Sequence, residues 1–221
     1  MKNIVITGAN RGIGLEFAKI YSEKNMVYAI CRKPSKELES LNNVHIISGV
    51  DVGDFDSIQG AVSKCPDKID ILINNAGILK RVGFDDIGNS LDEINEQFKI
   101  NSLAPLLVTF AARNKLTAGS KIALITSRMG SIGDNDSGSN YGYRMSKSAL
   151  NSAGKSLAID LRDQGISVAI LHPGWVKTEM TAKTGLIEPN EAAQALVSRI
   201  DELNLENSGS FWHSNSEILE W

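Results

Sequence analysis

Cysteine is scarce in this chain: Cys31 and Cys65 are the only two among 221 residues, and no C-x-x-C pair occurs. That excludes a disulfide framework and a structural zinc site. Histidine is hardly commoner, and His45, His172 and His213 stand far apart without metal-ligand spacing, so no metal site is expected. Long apolar runs are missing too. None approaches the ~18 residues that would cross a bilayer. The amino terminus opens on a strand pattern rather than a signal peptide, so the expectation is a cytoplasmic protein with no membrane partner. Positive charge is not in excess either. A formal net charge of −3 argues against a nucleic acid held by bulk electrostatics. What remains is an ordinary globular balance, 42% hydrophobic and 22% charged, over a length that suits one domain with a full α/β core.

Apolar stretches of strand length alternate with helical patterns along the whole chain. Lys2–Thr7, Val27–Cys31, Val44–Val50, Ile69–Ile73, Ile122–Ile125 and Val168–Leu171 read as strands, with a short seventh in Gly209–Trp212. Such alternation predicts one doubly wound parallel sheet, an α/β fold of about seven strands spanning residues 1–221 as a single domain. Gly8, Arg32, Asp51, Asn74, Ser127 and Pro173 all fall just past strand carboxyl ends, the edge where such sheets bind ligands. A long helix over Ser90–Ala112 is expected to break between Asn101 and Pro105, because proline removes a backbone bond.

The first turn reads TGANRGIG between a strand and a helix, the context of a dinucleotide-binding loop. There Gly8 permits the tight turn, Gly12 lets the backbone approach a pyrophosphate, and Gly14 allows close helix–strand packing. The same glycines would also serve a plain turn with a close helix contact. Past the second strand no acidic residue awaits a ribose hydroxyl; Arg32 and Lys33 stand there instead, with Arg11 in the glycine loop. These cations suit a 2′-phosphate and favour NADP, or else are solvated surface charges.

Tyr143 and Lys147 lie four apart at the start of a helical pattern, hence on one face. A lysine ammonium held there would favour the phenolate, making the tyrosine a proton donor or acceptor near neutral pH. Chance produces such pairs often, so the pair gains meaning only from its surroundings.

Those surroundings resemble the short-chain dehydrogenases/reductases, in their compact single-domain branch and more narrowly the sniffer/C-factor group of carbonyl reductases. The resemblance spans nearly the whole chain. It rests on Thr7-Gly8-x-x-x-Gly12-x-Gly14, Asn74-Asn75-Ala76-Gly77, Asn101, Ser127 ahead of Tyr143-x-x-x-Lys147, and Pro173-Gly174-x-x-x-Thr178. It implies that Tyr143 is the general acid and base, and that Lys147 holds the nicotinamide ribose and lowers the tyrosine pKa. Ser127 would hydrogen-bond the substrate oxygen, and Asn101 would hold a water that feeds protons towards Lys147. The cofactor contacts it implies are Gly8, Asn10, Arg11, Gly12, Ile13 and Gly14 in the first loop, with Arg32. Asp51 and Val52 would lie at the adenine, and Asn75, Ala76 and Gly77 after the fourth strand. Pro173, Gly174, Val176 and Thr178 complete the set with Tyr143 and Lys147. The family also implies a homodimer packed through the broken helix and the helix after Tyr143.

Two features depart from the family pattern. Ser127 lies 16 residues before Tyr143, a few more than usual, which makes Ser131 a rival for its role. Only EMTAKTGLIE separates Thr178 from Pro189, a flap over 179–188 too short to enclose much. The expected function is hydride transfer between NADP(H) and a small carbonyl or alcohol substrate. The competing class is a non-catalytic NADP-binding signalling or sensor protein; a sugar-nucleotide epimerase fits the glycine spacing less well.

Overall fold

The computed structural model describes residues 1–221. Its sheet has seven strands: β1 (Asn3–Thr7), β2 (Met26–Ile30), β3 (Val44–Ile47), β4 (Ile69–Asn74), β5 (Leu116–Ile125), β6 (Ser167–His172) and β7 (Phe211–His213). All neighbours run parallel, in the order β3-β2-β1-β4-β5-β6-β7. The winding therefore reverses between β1 and β4, which opens a crevice at their carboxyl ends. This is the doubly wound α/β sheet expected above.

Successive side chains of a strand point to opposite faces. Ile4 and Ile6 enter one core and Val5 the other; Ile71 and Ile73 divide from Leu72 in the same way. Helices α1 (Gly12–Ser22) and α7 (Pro189–Glu202), with the one-turn α2 (Lys36–Glu39), cover the first face. On the second lie α3 (Phe55–Ser63), α5 (Ala104–Ala112) and α6 (Tyr141–Asp160), and α4 (Leu91–Phe98) leads into α5. Each fully buried aliphatic side chain contributes ~1.5–3 kcal/mol, so strands apolar on both faces require helices on both sides. No helix is long and apolar enough to cross a membrane.

Three boundaries differ from expectation. β3 stops at Ile47 because Gly49 turns with φ +75° and returns its N–H to the Arg32 carbonyl. β5 begins at Leu116, ahead of its apolar run: Leu116 pairs with Ile69, and exposed Thr117, Ala118 and Gly119 then bulge out before pairing with β4 resumes at Lys121. The long helix breaks not at proline but at a π turn, Lys99–Leu103, with Pro105 in the first turn of α5. A π turn widens the helix by one residue and recurs at functional sites. Asn101 sits in this one, fully buried.

Candidate active site

β5 delivers Ser127 directly. Its extended backbone caps the turn Arg128–Gly130, and its Oγ accepts the Met129 N–H at 3.1 Å, which leaves the hydroxyl hydrogen free to donate. Three ties fix this strand end to α6: Lys147 Nζ to the Ile125 carbonyl (2.8 Å), Thr126 Oγ1 to Asn151 Oδ1 (2.7 Å) and Ser148 Oγ to the Gly130 carbonyl (2.9 Å). Just ahead of α6, Gly138, Ser139 and Asn140 take left-handed backbone conformations in succession. Arg144 in its first turn clamps that bend through the Gly138 carbonyl and Ser137 Oγ. The polar DNDSGS loop is thus the device that turns the chain sharply into the helix bearing Tyr143.

Ser127, Tyr143 and Lys147 are all buried. Burial pushes the Tyr143 phenol up to about 12, while the Ser127 hydroxyl beside it pulls the other way. Burial also brings the Lys147 ammonium down to about 7. For Tyr143 burial is the largest influence, ahead of the Ser127 hydrogen bond. The Lys147 Nζ lies 5.8 Å from the phenol ring centre. Ser131, the rival serine, turns away to accept the Asp134 N–H.

Asn101 makes a further tie in the site. Its Oδ1 accepts the Ile78 N–H at 2.8 Å, and its Nδ2 donates to the Ile78 carbonyl and Ser146 Oγ. Both amide hydrogens are committed, and the side chain clamps the loop after β4 onto α6. Gly77 sits at this junction: a Cβ there would lie 3.2 Å from Asn101 Oδ1 and 3.8 Å from Lys147 Nζ.

The glycine loop fits a dinucleotide. Gly8 and Gly12 adopt φ of +68° and +54°. A Cβ on Gly14 would stand 2.2 Å from the Gly8 carbonyl oxygen, so α1 can approach β1 only with glycine there. No side chain caps α1 and its first turn holds no acid. Its N–H groups are thus open to an anion. Asn10 and Ile13 are half-buried beside them. Arg32 is exposed and pairs with no acid, whereas Arg11 meets Glu179. Asp51 is exposed next to half-buried Val52, its Oδ1 accepting the Gly53 N–H. Asn75 spends its amide on the Thr7 and Gly8 carbonyls, while Thr7 Oγ1 accepts the N–H groups of Asn75 and Ala76. Thr178 faces Gly12; the Val176 carbonyl is taken by Thr181, the Pro173 carbonyl by Ser214, and Gly174 turns with φ +91°.

Residues outside the expected set also shape the site. Thr7 joins the β1 and β4 ends, and the T-G pair at a strand end was the available clue. His172 closes β6 beside His213, with ring centres 4.9 Å apart. Burial, then His213, Arg128 and Lys147, hold its pKa down to about 3, and its Nδ1 finds no partner.

Lys147 makes a stability prediction. In the unfolded chain a lysine titrates near ~10.4, in this fold at about 7. Between those values the unfolded state holds the extra proton, so stability rises with pH. Lys147→Met removes that dependence and the burial penalty on the charge. In thermal melts without cofactor, wild-type Tm should climb relative to the variant from pH 7 to pH 9; parallel curves would show that Lys147 does not titrate low.

A family model described as short chain dehydrogenase matches residues 2–188. The chain is 34% identical over its full length to a 1-hydroxy-2-glutathionyl-2-methyl-3-butene dehydrogenase of Rhodococcus, also covered in full. It is 38% identical to the C-signal protein of Myxococcus xanthus over 73% of this chain and 98% of that one. Among solved structures, the NADPH-bound carbonyl reductase from chicken fatty liver superposes with a TM-score of 0.91 at 29% identity, covering 100% of this chain and 99% of that one. Carbonyl reductase Sniffer of D. melanogaster gives 0.91 and 29%, with both chains covered in full. With the family pattern carried from Thr7 to Thr178 on the fold those relatives share, the chain belongs to the short-chain dehydrogenases, a family of NAD(P)-dependent oxidoreductases.

Proposed function

We propose that this chain is an NADP(H)-dependent carbonyl reductase in which Tyr143 is the general acid and base. One observation carries the reading: a buried phenol, a serine with a free hydroxyl hydrogen and a buried lysine stand together at the edge where α1 opens uncapped. When bound, NADPH supplies the hydride for the carbonyl carbon. The chain's part is to seat the substrate oxygen between Tyr143 and Ser127. Tyr143 gives that oxygen its proton, and Ser127 donates a hydrogen bond as negative charge develops there. A phenol that stays protonated to about pH 12 is already in the form that reduction consumes. Lys147 holds the cofactor ribose, and Asn101 keeps the β4 loop against α6. The NADPH-bound chicken carbonyl reductase supports both cofactor and reaction. A non-catalytic sensor has no use for this buried acid and donor, and that reading is set aside.

The wall we assign to the substrate is apolar: Trp175, Met180 and Leu186, just ahead of and within the flap, are exposed, and exposed Phe84 packs against Tyr141 at the start of α6. A ten-residue flap supplies few contacts that could reject a wrong substrate. The reading is therefore broad use of aromatic and aliphatic ketones and aldehydes. Steady-state kinetics with NADPH over a size-graded carbonyl panel tests it. Comparable kcat/KM across the panel is expected; one compound preferred by more than about a thousand-fold, ~4 kcal/mol of discrimination, would contradict it.

Arg32→Asp replaces a charge-assisted phosphate contact, contributing ~1.5–3 kcal/mol, with repulsion. The NADPH-over-NADH preference should fall by about ten-fold or more in direct titrations, and unchanged relative affinities would remove Arg32 from the phosphate site. Leu91 and Phe98 on α4, Leu103 in the π turn, Leu106 and Phe110 on α5, and Met145 on α6 are exposed apolar residues that support a homodimer through these helices. Sedimentation at micromolar concentration should show a species of twice 23.9 kDa; monomer alone would refute it. The cytoplasm is the compartment assigned, where buried free thiols such as Cys31 and Cys65 persist.

A further inference from the structure

The segment after β6 is short, but it is not loose. Trp175 Nε1 donates to the Thr184 carbonyl (2.7 Å), and Thr181 Oγ1 to the Val176 carbonyl (2.6 Å). The N–H of Lys183 meets the Thr178 carbonyl (2.8 Å), and the N–H of Leu186 the Trp175 carbonyl (2.6 Å). Ala182 and Lys183 hold left-handed backbone conformations, φ 50° and 60°, which close this knot on itself. The flap is therefore a pre-tied unit. Its one polar tie to the glycine loop is the ion pair between Glu179 and Arg11, whose side chains are 67% and 60% exposed. Gly12 and Thr178 touch beneath it.

Arg11 is one of the cations assigned above to a 2′-phosphate; Arg32, the other, has no acid beside it. Glu179 thus sits where an anionic cofactor group would compete with it. A carboxylate carries one negative charge, and a phosphate monoester near neutral pH carries up to two with three acceptor oxygens, so the guanidinium favours the phosphate. An exposed carboxylate–guanidinium pair is weak, worth at most about five-fold in an equilibrium. It holds the flap without locking it.

We propose that Glu179 is a cofactor-specificity residue, a latch that occupies Arg11 in the free protein and is displaced by the 2′-phosphate of NADP(H) but not by NAD(H). This rests on the NADP reading above. Once displaced, Glu179 faces the phosphate as a like charge, and the pre-tied flap is released from the glycine loop as a unit, carrying Thr178 and Met180. A cofactor lacking the phosphate leaves the pair intact. Glu179 therefore weakens NADPH binding while leaving NADH binding alone.

The test is fluorescence titration of the full-length protein with NADPH and NADH, for wild type, Glu179→Gln, Arg11→Ala and the double variant. Both positions are exposed, so folding is not at stake. Glu179→Gln should tighten NADPH by about two- to five-fold and leave NADH unchanged. On the Arg11→Ala background the same change should do nothing, because the latch has lost its partner. A Glu179→Gln protein that binds NADPH no tighter, or that tightens both cofactors alike, overturns the latch while the NADP reading stands. Wild-type protein that binds NADPH no better than NADH removes the NADP reading itself, and the latch with it.

Discussion

Tyr143→Phe should cut carbonyl reduction by about 10²–10⁴-fold, the usual contribution of a positioned general acid, while NADPH still binds. The substitution keeps the ring, which is only 8% exposed, so the packing of α6 against the Ser127 turn survives. What is lost is the proton. In the native site burial holds the phenol protonated to about pH 12 beside the Ser127 hydroxyl. A loss of that size is ~3–5 kcal/mol of transition-state stabilisation. Turnover within a few-fold of wild type, with normal cofactor affinity, would remove Tyr143 from the mechanism.

Ser127→Ala should cost about 10²–10³-fold in kcat, as removal of one preorganised donor to a developing oxyanion does. Geometry makes the comparison with Ser131 sharp. The Ser127 hydroxyl stands beside the Tyr143 phenol, whereas Ser131 Oγ is taken by the Asp134 N–H. Ser131→Ala should therefore reduce kcat by only a few-fold, through a loosened 131–134 turn. If the Ser131 variant were the slower of the two, the serine assignment would be reversed.

Much of this was readable in the sequence, for a physical reason. Strands covered on both faces must be apolar without gaps, and Ile4-Val5-Ile6 and Ile71-Leu72-Ile73 are; such runs need little context. Gly14 was equally legible, because a helix start so near a backbone oxygen that an added Cβ would stand 2.2 Å from it tolerates nothing larger. What could not be read depends on partners distant in the chain. The π turn at Lys99–Leu103 leaves no compositional mark, and Pro105, the visible helix breaker, drew attention to the wrong residue. β5 starts at buried Leu116, paired with Ile69, and then bulges through exposed Thr117–Gly119, so no alternation announces it. The low pKa of Lys147 arises from burial among β5, the β4 loop and α6, while its spacing from Tyr143 suggests only a surface pair. Arg11 and Glu179 meet across 168 positions of sequence, and nothing local to either predicts it.

The most direct measurement is isotope transfer. Reduction of an aromatic ketone by the wild-type protein is run with NADPH doubly deuterated at nicotinamide C4 in ordinary water, and the product alcohol is analysed by mass spectrometry. One deuterium on the carbinol carbon, formed by wild type and nearly lost with Tyr143→Phe, is the expected result. Alcohol without the label, or NADPH bound and never consumed by any member of the carbonyl panel, would contradict hydride transfer as the function of this site.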